Sequence, residues 1–249
     1  MAKRNLQVNT KVIASVTDSA EKLLRGTCQP RVLCVAPAWN EGERIARVVQ
    51  AVPGEFVETT VVVDDGSGDD TAFHAENSGA IVIRSGANRG VGAAIRSGID
   101  YAIANGYDIV VIVSGGGKTP PEQIPRLLDP IINGEVELAQ GSRYLDGGEY
   151  LRMPLRRRLG TRGYTILFSL FCRHRVTDAS SGFRAIRLSL FDDKRIDLWQ
   201  DWPDRYELEP YLLFKAHRSD TKLRGAEARD VATLTPGFGR IIRRYTTRS

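Results

Sequence analysis

From residue 31 onward, short apolar runs alternate with stretches in which apolar residues recur every third or fourth position. The runs at 32–36, 60–63, 80–84 and 109–113 are rich in valine and isoleucine with almost no polar break. That is the pattern of strands buried on both faces of a parallel sheet. Between the runs, Ile45, Val48, Val49 and Val52 share one helical face, as do Val91, Ile95, Ile99, Ala102 and Ile103 further on. Ile124, Leu127, Leu128, Ile131 and Ile132 form a third stripe. Asp69 or Asp70 can cap a helix beginning at Thr71, Gly79 closes it, and Gly106 stops the next. Four β-α units in this order predict an α/β fold, a doubly wound and mainly parallel sheet flanked by helices. A short strand is predicted over 137–140 and an apolar helix over 164–172.

The rhythm is uninterrupted by repeats or low-complexity linkers, which predicts one domain over 31–249 after a mixed, polar N-terminal arm over 1–30. The arm carries a helical patch at 14–24. Hydrophobic content of 42% and charged content of 26% are ordinary for a soluble globular protein. The first residues lack the unbroken apolar core of a signal peptide. No stretch approaches the roughly 20 apolar residues that cross a bilayer. Cys28, Cys34 and Cys172 show no pairing or metal spacing and read as reduced thiols. The 3 histidines are scattered, so no zinc site is expected. These features predict a cytoplasmic protein whose only membrane contact is peripheral, at the inner surface. A net charge of +5 permits an anionic ligand.

Polar clusters end the first, second and fourth runs, so Asn40, Glu41, Asp64, Asp65 and the loop 114–118 are expected to meet in one crevice beyond the strand ends. The loop, within IVVIVSGGGKTPP at 109–121, invites a phosphate-loop reading. The Walker pattern needs a glycine where Ile112 stands, and two prolines follow where that loop would continue into its helix. No GxGxxG follows the first strand, so a dinucleotide site is not expected either. VVVDDGSGDDT is more informative: two carboxylates at a buried strand end can read a ribose or base, although aspartates there also serve as turn formers and caps.

The signposts PAWNE (37–41), VVVDDGSGDDT (61–71), NRGVGAAIRSG (88–98), GSRY (141–144) and TDASSGFRA (177–185) stand in the order found in family 2 glycosyltransferases. Over roughly residues 31–209 the chain resembles that family, in particular its dolichol-phosphate mannose synthase-like branch. The resemblance implies a GT-A fold, a nucleotide-sugar donor such as a UDP- or GDP-sugar, inversion at the anomeric carbon and no organic cofactor. It implies that Pro37, Ala38, Asn40 and Glu41 line the nucleotide pocket, with Asp64 or Asp65 on base or ribose. Asn88, Arg89 and Gly90 match the loop over the donor. Arg143 is expected to face the diphosphate or an acceptor phosphate. Asp178, Ser181, Gly182 and Arg184 border the acceptor, and Glu209 takes the family's late acidic position.

One stretch departs from the pattern. The family ends its fourth strand with an Asp-x-Asp pair that holds Mg or Mn against the donor diphosphate. Here the pair falls on Ser114 and Gly116, flanking Gly115, and neither is an anionic ligand for a hard cation. Whether a divalent metal takes part is therefore open. One reading has Lys118, helped by Arg89 and Arg143, replace it: a unit charge about 4 Å away is worth roughly 4 kcal/mol at an effective dielectric near 20. The N–H groups of Gly115–Gly117 are expected to add an anion-binding nest.

The arginine cluster at 152, 156, 157, 158 and 162 reads as a solvated face, an acceptor-phosphate site through Arg157, or a membrane-surface contact with the basic tail. It lacks the interleaved aromatics of a nucleic-acid site. A polyprenyl phosphate, the first choice of acceptor, is already a nucleophile. A hydroxyl or amine needs a base, for which Asp178 is the candidate and Glu209 the reserve. The alternatives are a biosynthetic transferase acting on a small-molecule or carrier-bound acceptor, and a nucleotide-sugar-binding module impaired in catalysis.

Overall fold

The computed structural model describes residues 29–145, 154–218 and 231–234. The N-terminal arm up to residue 28, with its helical patch and Cys28, lies outside them, as do Arg152 and the tail beyond residue 234. The four predicted units appear as β1 (Val32–Ala38), α1 (Arg44–Gln50), β2 (Thr59–Asp64), α2 (Thr71–Asn77), β3 (Ile81–Arg84), α3 (Val91–Ala104), β4 (Ile109–Ile112) and α4 (Ile124–Ile132). They are followed by β5 (Leu138–Gly141), α5 (Leu155–Cys172), β6 (Arg184–Arg187), α6 (Leu208–Arg218) and β7 (Val231–Leu234). The described strands form one sheet in the order β3-β2-β1-β4-β6-β5-β7. Every pairing is parallel except those of β6, which runs against both β4 and β5.

The alternation of side chains along β1, β2 and β4 divides the core into two layers. Cys34, Ala36, Val62, Val111 and Val113 face Ile45 of α1 and Leu127 and Leu128 of α4. Leu33, Val35, Val61, Val63 and Val110 face Ile95, Ile99 and Ala102 of α3 and Leu212 and Leu213 of α6. Each valine, leucine or isoleucine among them contributes about 1.5–3 kcal/mol by leaving water. α3 packs so close to β1 that a Cβ on Gly98 would lie 2.3 Å from Val35 Cγ1. Cys34 and Cys172 are both buried, and burial pushes the Cys34 thiol up to about 12.

Two elements differ from the expectation. β6 reads Arg-Ala-Ile-Arg, and its two arginines mask a central strand whose Arg184 is only 1% exposed. α5 begins at Leu155 rather than residue 164 and takes the arginine run into its first turns. It buries only Thr165 and Cys172 among its residues, leaving Leu155, Leu159, Ile166, Leu170 and Phe171 exposed, the last at 77%.

Candidate active site

Beyond the ends of β1, β2 and β4 the structure brings together the residues that the strand ends were expected to gather. β1 carries Pro37 and Ala38 to the crevice, and Asn40 turns the chain in the left-handed region at φ 52°, which asparagine tolerates. The Asn40 amide donates to Ser67 Oγ at 2.9 Å, and Asn40 Oδ1 accepts the Gly68 N–H at 2.9 Å. Thr71 Oγ1 accepts the N–H groups of Glu41 and Gly42, both at 2.9 Å. The Thr71 hydroxyl in turn donates to Asp69, and that hydrogen bond, ahead of every other influence, holds the Asp69 carboxyl below the ordinary carboxylate value. PAWNE and the DDGSGDDT segment are thus one interlocked turn, with Trp39 exposed at its rim.

Asp64 and Asp65 are both buried and both hold backbone. Asp64 Oδ1 accepts the Ser67 N–H at 3.0 Å. Asp65 accepts the N–H groups of Arg89 at 2.9 Å and Gly90 at 2.7 Å, fixing the loop that contains Asn88 and Arg89. Gly66 permits that arrangement: its φ is +74°, and a Cβ there would meet the Ala87 carbonyl carbon at 2.7 Å.

The loop after β4 is a closed turn. The Ser114 N–H donates to Thr119 Oγ1 at 2.9 Å, the Gly115 N–H to the Pro37 carbonyl at 3.2 Å and the Gly117 N–H to the Ser114 carbonyl at 3.0 Å. The expected nest at 115–117 is therefore corrected: two of its three amides are already bonded within the protein. A Cβ on Gly116 would lie 2.6 Å from Glu41 Oε1, and the Glu41 carboxylate is paired with Arg44 at 3.0 Å. Lys118 is exposed at the tip.

Before β6, Asp178 is 0% exposed and accepts from Arg143 Nε at 2.7 Å, Arg143 Nη2 at 2.9 Å and the Arg143 N–H at 3.2 Å. It also accepts from the Ser180 N–H at 3.2 Å and hydroxyl at 3.0 Å. Its hydrogen bonds hold the Arg143 guanidinium above its ordinary pKa. Such a carboxylate is suited to positioning an arginine more than to collecting a proton. Arg184 Nε donates to the Ser181 carbonyl at 3.0 Å, its Nη1 to the Glu209 carbonyl, and its buried Nη2 has no hydrogen-bond partner among the described residues. Burial lowers the Arg184 pKa, opposed by the Glu209 and Asp178 carboxylates. Glu209 opens α6, and its Oε1 would lie 2.4 Å from a Cβ on Gly182. Arg157 is exposed on α5, with its carbonyl accepting the Thr161 hydroxyl at 2.9 Å.

Sequence reasoning missed a strap formed by residues 198–205. Arg96 Nη1 donates to the carbonyls of Leu198 at 3.1 Å and Gln200 at 2.8 Å, and Nη2 pairs with Asp204. The Ala93 N–H donates to the Asp204 carbonyl at 2.9 Å. A Cβ on Gly90 would meet that carbonyl oxygen at 2.5 Å, and one on Gly92 the Pro203 oxygen at 2.3 Å. A glycine in the first turn of a helix was the available signal. Also missed was the stacked pair His174–His217, with ring centroids 5.3 Å apart.

The mainly parallel sheet with one reversed strand, its polar loops gathered beyond the strand ends, is a GT-A fold, as solved structures of that fold show. The chain superposes on glucosyl-3-phosphoglycerate synthase from Mycobacterium tuberculosis, solved with Mg2+ and uridine-diphosphate. The TM-score is 0.62 at 21% identity, over 90% of this chain and 76% of that one. Residues 34–194 match the model of Glycosyl transferase family 2, and the chain belongs to that family and is a glycosyltransferase. It is 31% identical to an uncharacterised protein of Methanocaldococcus jannaschii over 81% of this chain and 82% of the relative. It is also 31% identical to an undecaprenyl-phosphate mannosyltransferase of Micrococcus luteus, over 76% of this chain and 78% of the relative.

The metal seen in that structural neighbour sets a test for this chain's residues. The loop after β4 carries Ser114, Gly115 and Gly116, none of them a carboxylate, and the described residues include no cluster of three or more His, Cys, Asp or Glu side chains able to hold a metal ion. The donor set does not fit a hard divalent cation.

Proposed function

We propose that this glycosyltransferase moves a sugar from a UDP- or GDP-sugar to a polyprenyl phosphate at the cytoplasmic surface of a membrane, acting as one domain over 31–249. The observation that carries this reading is the join between α5 and the acceptor side. The Tyr144 hydroxyl and Thr161 Oγ1 are hydrogen-bonded, and the Arg162 guanidinium lies 5.3 Å over the Tyr144 ring. The arginine-rich start of α5 is thereby tied beside Arg143. From there an exposed face of Leu159, Ile166, Leu170 and Phe171 runs along the helix. A basic end and an apolar face suit a phosphate head with an attached hydrocarbon at a bilayer surface. The Micrococcus luteus relative, named for an undecaprenyl-phosphate substrate, supports the same acceptor class.

In this reading Arg143 and Arg157 take the acceptor phosphate, Asp178 positions Arg143, and Ser181, Gly182, Arg184 and Glu209 shape the turn behind it. Pro37, Ala38, Asn40, Glu41, Asp64, Asp65, Asn88, Arg89 and Gly90 form the donor pocket. The acceptor phosphate oxygen attacks the anomeric carbon directly, so no base is required. The test is transfer of radiolabel from UDP- and GDP-sugars to undecaprenyl or dolichyl phosphate in vesicles, with 3-phosphoglycerate as a soluble competitor. Label extracted into organic solvent is expected. Label found only on the soluble acceptor would overturn the assignment.

A further inference from the structure

The turn that ends β4 presents a cation where the family presents carboxylates. We propose that the donor's nucleoside diphosphate is bound and released without a divalent ion, its leaving charge met by Lys118 Nζ at the tip of this turn. The inference rests on the nucleotide-sugar reading of the same crevice.

Four observations carry it. Ser114 and Gly116 offer no anionic ligand. Second, residue 116 faces a carboxylate already present: Glu41, paired with Arg44, lies within 2.6 Å of where a Cβ would stand, so an acidic side chain there would meet like charge. Third, the turn is closed by Ser114, Gly117 and Thr119 and tied to β1 by the Gly115 N–H on the Pro37 carbonyl. Two of its three glycine amides are used in this way, which makes the tip a defined place and leaves the side chain of residue 118 to carry the positive charge. Fourth, three cations of the surrounding elements are already paired: Arg44 with Glu41, Arg96 with Asp204 and Arg143 with Asp178. Lys118 makes no hydrogen bond or ion pair among the described residues and is exposed beside the crevice.

The chemistry needs no more than this. An acceptor phosphate oxygen forms the new bond to the anomeric carbon as the bond from that carbon to the β-phosphate oxygen breaks. The electron pair stays with the nucleoside diphosphate, which departs with one more negative charge than it carried in the donor. The acceptor loses one negative charge, and no proton moves. An ammonium positioned at that oxygen stabilises the charge as it develops.

The experiment is calorimetric titration of the full chain with UDP, GDP and dTDP, each in EDTA and again in millimolar magnesium or manganese, with the free nucleosides as controls. One diphosphate is expected to bind with affinities that agree within about twofold between the metal-free and metal-containing buffers. Lys118→Ala should lose roughly 30-fold in that affinity, the scale of one charge-assisted hydrogen bond, while Lys118→Arg keeps most of it. Because Lys118 is exposed, neither variant disturbs the core. Binding seen only with magnesium or manganese, or a Lys118→Ala affinity equal to wild type, overturns the inference and leaves the donor reading standing. Failure of every diphosphate in every buffer overturns both.

Discussion

Replacing Asp178 by asparagine separates a structural ion pair from a proton acceptor. The carboxylate is fully buried and receives five hydrogen bonds, three from Arg143 and two from Ser180. Asparagine keeps the shape but turns one acceptor oxygen into an NH2 group, which must then face donors of Arg143 or Ser180. Breaking a buried pair costs about 3–5 kcal/mol. The Arg143 side chain is 25% exposed and can regain water, which places the expected loss near the lower end, about 3 kcal/mol. Against a total stability of roughly 5–15 kcal/mol, that is a drop in Tm of about 6–12 °C for a chain of this size. Denaturant unfolding of D178N, R143M and the double variant reads it directly, with a coupling of about 2 kcal/mol expected between the two sites. If D178N loses less than about 1 kcal/mol while turnover collapses, the carboxylate is a catalytic base and the positioning argument is refuted.

Gly92→Ala should destabilise by about 2 kcal/mol through overpacking against the Pro203 carbonyl, although the same change in an open helix would stabilise by about 1 kcal/mol. The sign of the shift in thermal unfolding is the check. The His174–His217 stack sets a pH dependence: burial, then the charge of His174, pushes the His217 imidazole from its ordinary 6.5 down to about 4. The folded value lies below the unfolded one, so this stability is complete above pH 6.5 and is lost as the pH falls toward 4, on the order of 3 kcal/mol in all. His217→Asn should flatten that part of the curve, and a variant whose acid slope equals that of wild type would contradict the assignment.

The first half of the fold was legible because buried parallel strands are written as unbroken runs of valine and isoleucine, as at Val61–Val63 and Ile109–Ile112. The meeting of Asn40, Glu41, Asp64, Asp65 and loop 114–118 followed from strand ends alone. What escaped was structure made by backbone and by charge. Nothing in the pattern of Arg184–Arg187 announces a central strand, because a fully buried arginine is the exception to the apolar rule. The strap at 198–205 is held by carbonyl oxygens accepting from Arg96 and Ala93, and carbonyls are the same in every residue. The arginines of α5 fall outside the helix expected over 164–172 because helical periodicity is written in buried apolar positions, and this helix leaves most of its apolar residues uncovered.

The reversed strand has a further consequence. Ile112 and Gln140 leave the sheet at the crevice, and Arg184 enters the sheet between them, in register with both. The loops that follow β1, β2 and β4 are therefore anchored upstream, by strands already laid down, while the turn before β6 is anchored downstream, by the strand it is about to join. That turn is also held at its other end. The chain leaves α5 through Arg173, left-handed at φ 55°, and Ser169 Oγ accepts the Val176 N–H and donates to the Val176 carbonyl, both at 3.1 Å. The segment that ends in Arg184 is thus a clasp between a helix and a central strand, and α5 cannot move without pulling on it.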